Sequence, residues 1–312
     1  YGIKNLCLAG GVALNCVANG KILKEKLFEN IWIQPAAGDA GGSLGAALCV
    51  YYLYKKNKRI IDKNDSMRGS FLGPEFKNSV IKKSLSNLGA SYFYEKEDKI
   101  IERTAQALAN GKAVGLMQGR MEFGPRALGC RSILADPRSE KMQKILNLKV
   151  KFRESFRPFA PSILEEDLAK WFELSKKSPY MLFVGQVSSD KSIKMSKTEK
   201  KLFGIDKLNI KRSLIPAVTH VDYTARIQTV DKNTNHFFYR LIKKFKSLTG
   251  CPVLVNTSFN VRGEPIVCSP DDAFHCFMGT ELDMLIIGNY YLYKKAQNPL
   301  LKKNYLNKYE LD

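Results

Sequence analysis

Apolar runs of strand length alternate along this chain with longer stretches of helical period, and that alternation confines the fold to the α/β class. Residues 4–10 read as a buried strand. GGVALNCVANGKILKEKLF then brings a glycine turn and helical spacing, with Val12, Val17, Ile22 and Leu27 available for an apolar face. IWIQP is a second short strand, and GDAGGSLGAALCVYYLYKK gives a glycine-rich entry to a long apolar helix. From residue 57 to 70 the composition turns polar, as in a linker, which predicts a first domain over 1–60, a second over 66–295 and a polar tail at 296–312. In the second, helix-like stretches at 98–110, 141–148, 237–248 and 270–278 alternate with the strand-like runs AVGLMQ, YMLFVGQV, ARIQTV, PVLVNTS and LDMLIIG. The lysine- and serine-rich stretch 188–213 is expected to be a surface excursion.

With 312 residues and 45% hydrophobic content the chain is large enough for two modest cores. Tyr1 stands directly before an apolar run, so the chain is expected to begin inside a longer protein. No apolar stretch approaches the roughly 20 residues that span a bilayer, and no signal-peptide layout opens the sequence. Seven cysteines, odd in number and with no C-x-x-C pair, predict reduced core thiols in a cytoplasmic protein. The formal charge of +20 suits a nucleic-acid binder, but the lysines are dispersed, without aromatic interleaving or a nucleic-acid-binding motif. Arginine behaves differently. Of thirteen arginines, Arg120, Arg126, Arg131, Arg138, Arg153 and Arg157 crowd into one segment, where a planar, bidentate anion fork would be used.

In EFGPRALGCRSILADPR, Gly124-Pro125 and Gly129 force turns around Arg126 and Arg131, and Glu122 and Asp136 can orient the guanidinium groups. These charges follow no helical period, which favours a substrate-facing role over a solvated face. In VKFRESFRPFAPSIL, Lys151, Arg153, Ser155 and Arg157 would form one cationic face of an extended strand, opposed by Val150, Phe152 and Phe156. A charged edge strand is the alternative. In THVDYTARIQTV, Arg226 is a cation candidate, while His220 is read evenly as ligand-binding or structural. In VLVNTSFNVRGEPIV, a hydrophobic strand ends in Asn256, Thr257, Ser258 and Asn260, side chains suited to gripping phosphate or sugar hydroxyls or to making the turn. In the first block, Gly10 and Gly11 can open a helix N-terminus to an anion, with Asn15 on the first turns, although a packing turn serves as well. Asp39 sits among small residues, as a site carboxylate or a helix cap.

Taken in order, these motifs resemble the O-carbamoyltransferases of the NodU, CmcH and TobZ type. GGVALN and GDAGG are similar to the second half of their actin-like domain. The stretch from Phe71 to Tyr293 resembles their YrdC-like carboxy-terminal domain, Lys151-x-Arg153 and Ser258-x-Asn260 matching the K-x-R and S-x-N signature of YrdC proteins. Tyr223-Thr224, where small residues are usual, and a longer lysine-rich insert depart from the pattern.

The resemblance implies an α/β chain made of the C-terminal half of an actin-like domain followed by a YrdC-like domain. It implies carbamoyl phosphate and ATP with Mg²⁺ as substrates, carbamoyl-adenylate as the intermediate, and a hydroxyl-bearing small molecule as acceptor. On this basis Lys151, Arg157 and Arg226 would clamp phosphates with Arg126 and Arg131 nearby, while Arg153, Ser258, Asn260, Asn256, His220, Gly10, Gly11 and Asn15 would contact nucleotide or substrate. The resemblance also makes Asp39 a ligand of a divalent metal, iron being the expected one, whose two histidines come from an H-x-x-x-H motif that His220, His236 and His275 do not form. A homodimer is compatible with this reading. Two alternatives stand beside it: a threonylcarbamoyl-adenylate synthase for tRNA modification, and an RNA-binding YrdC-like module without catalysis.

Overall fold

The computed structural model describes residues 2–61, 65–208, 210–302 and 304–305. The expected linker runs through 62–64 and much of the expected tail through 303 and 306–312, outside the described residues. The α/β expectation holds, with two sheets. Strands β1 (Asn5–Leu8) and β2 (Asn30–Ile33) pair in parallel, from Asn5 opposite Asn30 to Leu8 opposite Ile33. A parallel pair needs a crossover. It is made by a 3-10 turn at Gly11–Leu14 and helix α1 (Cys16–Lys24), and helix α2 (Asp39–Cys49) follows β2.

Two expectations for this block fail on exposure. β1 is exposed to half-buried along its length, and Val12, Val17 and Leu27 face outward while Ala13 and Asn19 are buried. The reason is that α1 meets the larger sheet through its smallest groups. A Cβ on Gly20 would lie 2.7 Å from the carbonyl oxygen of Val184, so only glycine allows this approach. Beside it, Asn19 Nδ2 donates to the carbonyls of Ala13 (2.8 Å) and Leu182 (3.1 Å). Likewise α2 is apolar and continues through a π turn at Val50–Tyr54, yet it buries none of its residues.

The larger sheet has ten strands: β3 (Phe93–Tyr94), β4 (Val114–Met117), β5 (Arg131–Ala135), β6 (Ala160–Leu164), β7 (Phe172–Glu173), β8 (Phe183–Val187), β9 (Thr224–Val230), β10 (Val253–Ser258), β11 (Met284–Ile287) and β12 (Tyr290–Tyr293). Their spatial order is β3-β12-β11-β4-β5-β10-β6-β9-β8-β7, with β11–β4 and β6–β9 parallel and the other pairs antiparallel. Central strands are buried on both faces and read as continuous apolar runs such as MLII, where half-exposed strands would alternate.

Helices α3 (Asn78–Asn87) and α4 (Glu97–Ala109) precede β4. One-turn helices α5 (Met142–Ile145), α6 (Leu168–Trp171), α7 (Lys197–Lys200) and α8 (Gly204–Leu208) lie in the connections, and α9 (His236–Thr249) and α10 (Pro270–Gly279) complete the set among the described residues. α9 starts under the Asn235 cap and ends at Gly250, whose φ of 75° is the left-handed conformation glycine supplies. Its apolar stripe, Phe238, Leu241, Ile242 and Phe245, packs with α4 and the sheet into the main core.

A smaller core joins the two sheets: Ala13, Ile31, Ile33 and Ala37 pack with Leu182 and Phe183. Close approach recurs at Gly124, where a Cβ would sit 3.1 Å from that of Ala36. The 188–213 excursion is largely surface, but Arg212 pins it from inside. Its guanidinium donates to the carbonyls of Lys207 (2.7 Å), Leu208 (3.1 Å) and His220 (3.1 Å). The cysteines are only partly core residues: all seven are free, Cys130, Cys251 and Cys276 buried but Cys7, Cys49 and Cys268 exposed. No helix among the described residues is long and apolar enough to cross a membrane.

Candidate active site

The 151–157 stretch is not a strand. α5 runs into a π turn at Leu146–Val150, and the chain then continues irregularly to β6, with Phe152 at φ 49°. The alternation of faces is therefore lost: Lys151 is buried with Val150, while Phe156 is exposed. Lys151 has turned inward to the end of β10. Its ammonium donates to the Ser258 carbonyl (2.6 Å) and hydroxyl (3.2 Å), and to the Asn260 carbonyl (2.8 Å) and Oδ1 (2.7 Å). Asn260 Oδ1 also accepts from the Ser258 hydroxyl at 2.6 Å, so K-x-R and S-x-N meet as one knot. Burial, then the charge of Arg153, pulls the Lys151 pKa down to about 7, while four acceptor oxygens around the nitrogen favour the protonated form.

Two adjoining cavities open at this knot, and Arg153, Arg157 and Ser258 line both. One, of about 450 Å³, is completed by Asn260 and the Arg262–Pro265 turn. The other, of about 260 Å³, is walled by Arg126 and Arg226 and floored by Asn256. Residues two apart on a strand share a face, and the register places Arg226 and Gln228 of β9, Ser162 of β6 and Asn256 and Ser258 of β10 on the same one. Asn256 Nδ2 donates to Ser162 Oγ (3.0 Å) and Gln228 Oε1 (2.9 Å), tying three strands together under the cavity. Its Oδ1 has no partner among the described residues.

The cations of this cleft are poorly neutralised. Arg157 Nε lies 3.1 Å from Glu154, and Arg262 pairs with the same carboxylate at 3.3 Å. Arg126, Arg153 and Arg226 have no carboxylate partner among the described residues. The Nε groups of Arg126 and Arg226 are buried and unpaired. Burial first, and the positive charge of Arg126 second, bring the Arg226 pKa down to about 10. Burial and then Arg157 do the same to Arg153, again to about 10. Arg153 stacks over Phe159, its guanidinium carbon 5.0 Å from the ring centre. Groups arranged so that each disfavours the other's charge are what an anion relieves.

Arg131 does not belong to this cleft, which corrects the expectation of a substrate-facing role. Wholly buried, its guanidinium donates to the carbonyls of Gln118 (3.3 Å), Gly119 (3.2 Å), Cys130 (3.0 Å) and Pro74 (3.1 Å). Nor does Glu122 orient a guanidinium by hydrogen bonding. Its Oε1 accepts from the backbone N–H groups of Leu128 (2.6 Å), Cys130 (2.8 Å) and Arg131 (3.3 Å), folding the GPRALG turn around a buried carboxylate whose pKa burial raises. Asp136 does hold a guanidinium through both carboxylate oxygens, but it is that of Arg138, not of Arg126 or Arg131.

His220 also lies elsewhere. With Asp222 and Thr224 it lines a larger, mainly apolar cleft of about 1040 Å³ between α1 and β8, and burial keeps its pKa below the usual histidine value. Its Nδ1 is 3.2 Å from the Thr224 hydroxyl. Gly10 takes φ 89° at the turn, and Asn15 is the α1 cap itself, its side chain accepting from Ala18 N at 3.1 Å. Gly11 lies in the 3-10 turn between them. This turn reaches the cleft at one point, where Arg126 donates to the carbonyl of Leu14 at 3.4 Å. Asp39 is exposed in the first turn of α2, and no group of three or more histidine, cysteine or acidic side chains suited to an ion occurs among the described residues. Asp39 alone does not make a metal site.

Sequence reasoning passed over Asn147, the Phe159 platform and the Ser162–Gln228 pair. Arg262 was visible two residues beyond Asn260. A lone asparagine inside a helical stretch carries no such signal.

Comparison with known proteins identifies the family. The Carbamoyltransferase C-terminus model matches residues 105–294, and the Carbamoyltransferase N-terminus model matches residues 1–48. The chain is 57% identical over 298 residues to the uncharacterized protein sll1178 of Synechocystis, covering 95% of this chain and 48% of that one. It is 42% identical to nodulation protein NolNO of Sinorhizobium fredii, over 96% of this chain and 41% of that one. Identity is again 42% to nodulation protein NolO of Bradyrhizobium diazoefficiens, over 94% and 50% respectively. The chain thus spans about half the length of the curated relatives it matches. All the cleft's arginines, Lys151 and the Ser258–Asn260 turn fall within the C-terminal match, and Gly10 and Asp39 within the N-terminal one; with the C-terminal model alone matching more than half of its residues, this chain belongs to the carbamoyltransferase family.

Proposed function

We propose that the cleft between Arg126, Arg153, Arg157 and Arg226 binds carbamoyl phosphate and ATP, the latter with its Mg²⁺, and forms carbamoyl-adenylate. Carbamoyl phosphate loses its phosphate to water and leaves carbamate. A carbamate oxygen then attacks the α-phosphorus of ATP, the bond to the bridging oxygen breaks, and pyrophosphate departs. Transfer follows when an acceptor hydroxyl attacks the carbamoyl carbon, AMP leaves, and the hydroxyl proton passes to a base or to water.

The observation that carries this reading is the pair Arg126 and Arg226, half-buried in one cavity with both Nε groups buried and unpaired and no carboxylate between them. Phosphoryl and adenylyl transfer need positioning and charge neutralisation more than a protein nucleophile, and fixed guanidinium groups supply both. In this role Arg226 and Arg126 neutralise one phosphate group, while Arg153 and Arg157, shared by both cavities, bridge to the next. Lys151 holds the Ser258–Asn260 turn and gives the cavity of about 450 Å³ its positive end. Transfer to a hydroxyl-bearing acceptor is assigned to the actin-like part, of which the matched N-terminal segment is a portion.

The test is pyrophosphate release that depends on carbamoyl phosphate. Arg226→Ala is expected to lower it by about 100-fold or more, as loss of one buried charge-stabilising donor does. Unchanged release in that variant would remove the proposal.

A further inference from the structure

We infer that Asn147 is a positioning residue that sets Arg153 and the 151–157 loop in their anion-facing arrangement, an inference that rests on the phosphate-binding reading above. The loop belongs to no helix or strand, so its backbone groups need partners from elsewhere. Asn147 supplies several at once. It is fully buried, and its Nδ2 donates to the carbonyls of Ser155 (3.0 Å) and Arg157 (2.9 Å). Its Oδ1 accepts from Arg153 Nε at 2.7 Å, and its backbone carbonyl accepts from Arg153 N at 3.0 Å.

The π turn makes this grip available. In an α-helix the Asn147 carbonyl would accept from residue 151. Here the Lys151 N–H reaches back to Leu146 O at 2.9 Å, and the Asn147 carbonyl is left for the loop. Arg153 is then held from two sides, with Nε on Asn147 and its plane over Phe159, so its terminal nitrogens are the donors that remain for the two cavities. A side chain in this place must give two hydrogens and accept one. Aspartate keeps the shape and loses both donors, and leucine keeps the volume and loses all three bonds.

The experiment titrates the whole protein with β,γ-methylene-ATP and Mg²⁺, comparing wild type with N147D, N147L, R153A and the N147L/R153A double variant, each checked by thermal unfolding. N147L is expected to weaken binding by about 10- to 100-fold, the effect of losing bonds that orient a charged group. The double variant should bind within about 3-fold of R153A alone, because the two act through one guanidinium. N147D should also flatten the salt dependence of binding, since its carboxylate would neutralise Arg153. Undiminished affinity in N147D, or fully additive losses in the double variant, would overturn the inference. If N147L does not fold, N147D decides. If R153A and R226A both bind like wild type, the phosphate reading itself falls, and this inference with it.

Discussion

The arginine-rich segment 122–138 and the loop 151–157 look alike as sequence, each setting arginines among glycine, proline or aromatic residues, yet the fold uses them in opposite ways. In the first, Arg131 is enclosed by carbonyl oxygens and Arg138 by Asp136, and only Arg126 faces the cleft. In the second, Arg153 and Arg157 both line the two cavities, and Arg153 makes no ion pair with a carboxylate among the described residues. The number of arginines in a segment therefore says little about where an anion binds. What decides is how many of a guanidinium's donors the chain itself has filled: Arg131 makes four bonds to carbonyls, while Arg126 makes one and Arg153 keeps its terminal nitrogens free for the cavities.

The contrast is easiest to break at Arg131. Replacing it with alanine removes a wholly buried side chain together with its bonds to four carbonyls and is expected to cost at least about 3 kcal/mol in chemical denaturation. Arg226→Ala should cost less than about 1 kcal/mol, because it also removes repulsion from Arg126. Equal losses in the two variants would erase the distinction.

The next effect concerns Lys151 and is read from pH. Its folded pKa of about 7 lies below the roughly 10.4 of an unfolded lysine, so between those values the unfolded chain binds more protons. Stability should rise with pH through that window and reach its lower plateau below about 7. Lys151→Met should remove that slope, as measured by denaturation at several pH values. A persisting slope would assign it to another group.

The smallest effect belongs to Arg157. Its pairing with Glu154 is half-exposed, so Arg157→Gln should change stability by less than about 1 kcal/mol while still weakening nucleotide binding. Destabilisation as large as that of the Arg131 variant would move Arg157 into the structural group.

Long periodic elements were legible in the sequence. The helical patterns over 98–110, 237–248 and 270–278 fall on α4, α9 and α10, and PVLVNTS falls on β10. β5 escaped notice because it opens on two polar residues, Arg131, whose guanidinium donates to the Pro74 carbonyl far back in the sequence, and Ser132, whose hydroxyl accepts from Gly129 N three residues away. The 151–157 loop misled in the other direction. Its alternation of basic and apolar residues imitates a strand, but Lys151 finds four oxygens at the end of β10, which outweighs the pattern. Within the cleft, the kinship of Lys151 with Ser258 and Asn260 was visible as separated motifs. The separate fate of Arg131 was not, because nothing local tells a guanidinium that meets carbonyls from one that does not.

Gly20 against the Val184 carbonyl and Gly124 against Ala36 put the two sheets in contact where side chains are absent or smallest. Their mutual pose is thus written in the main chain. Surface residues on either side can drift, altering what each part recognises, while the spacing between the parts stays as constant as the backbone that defines it.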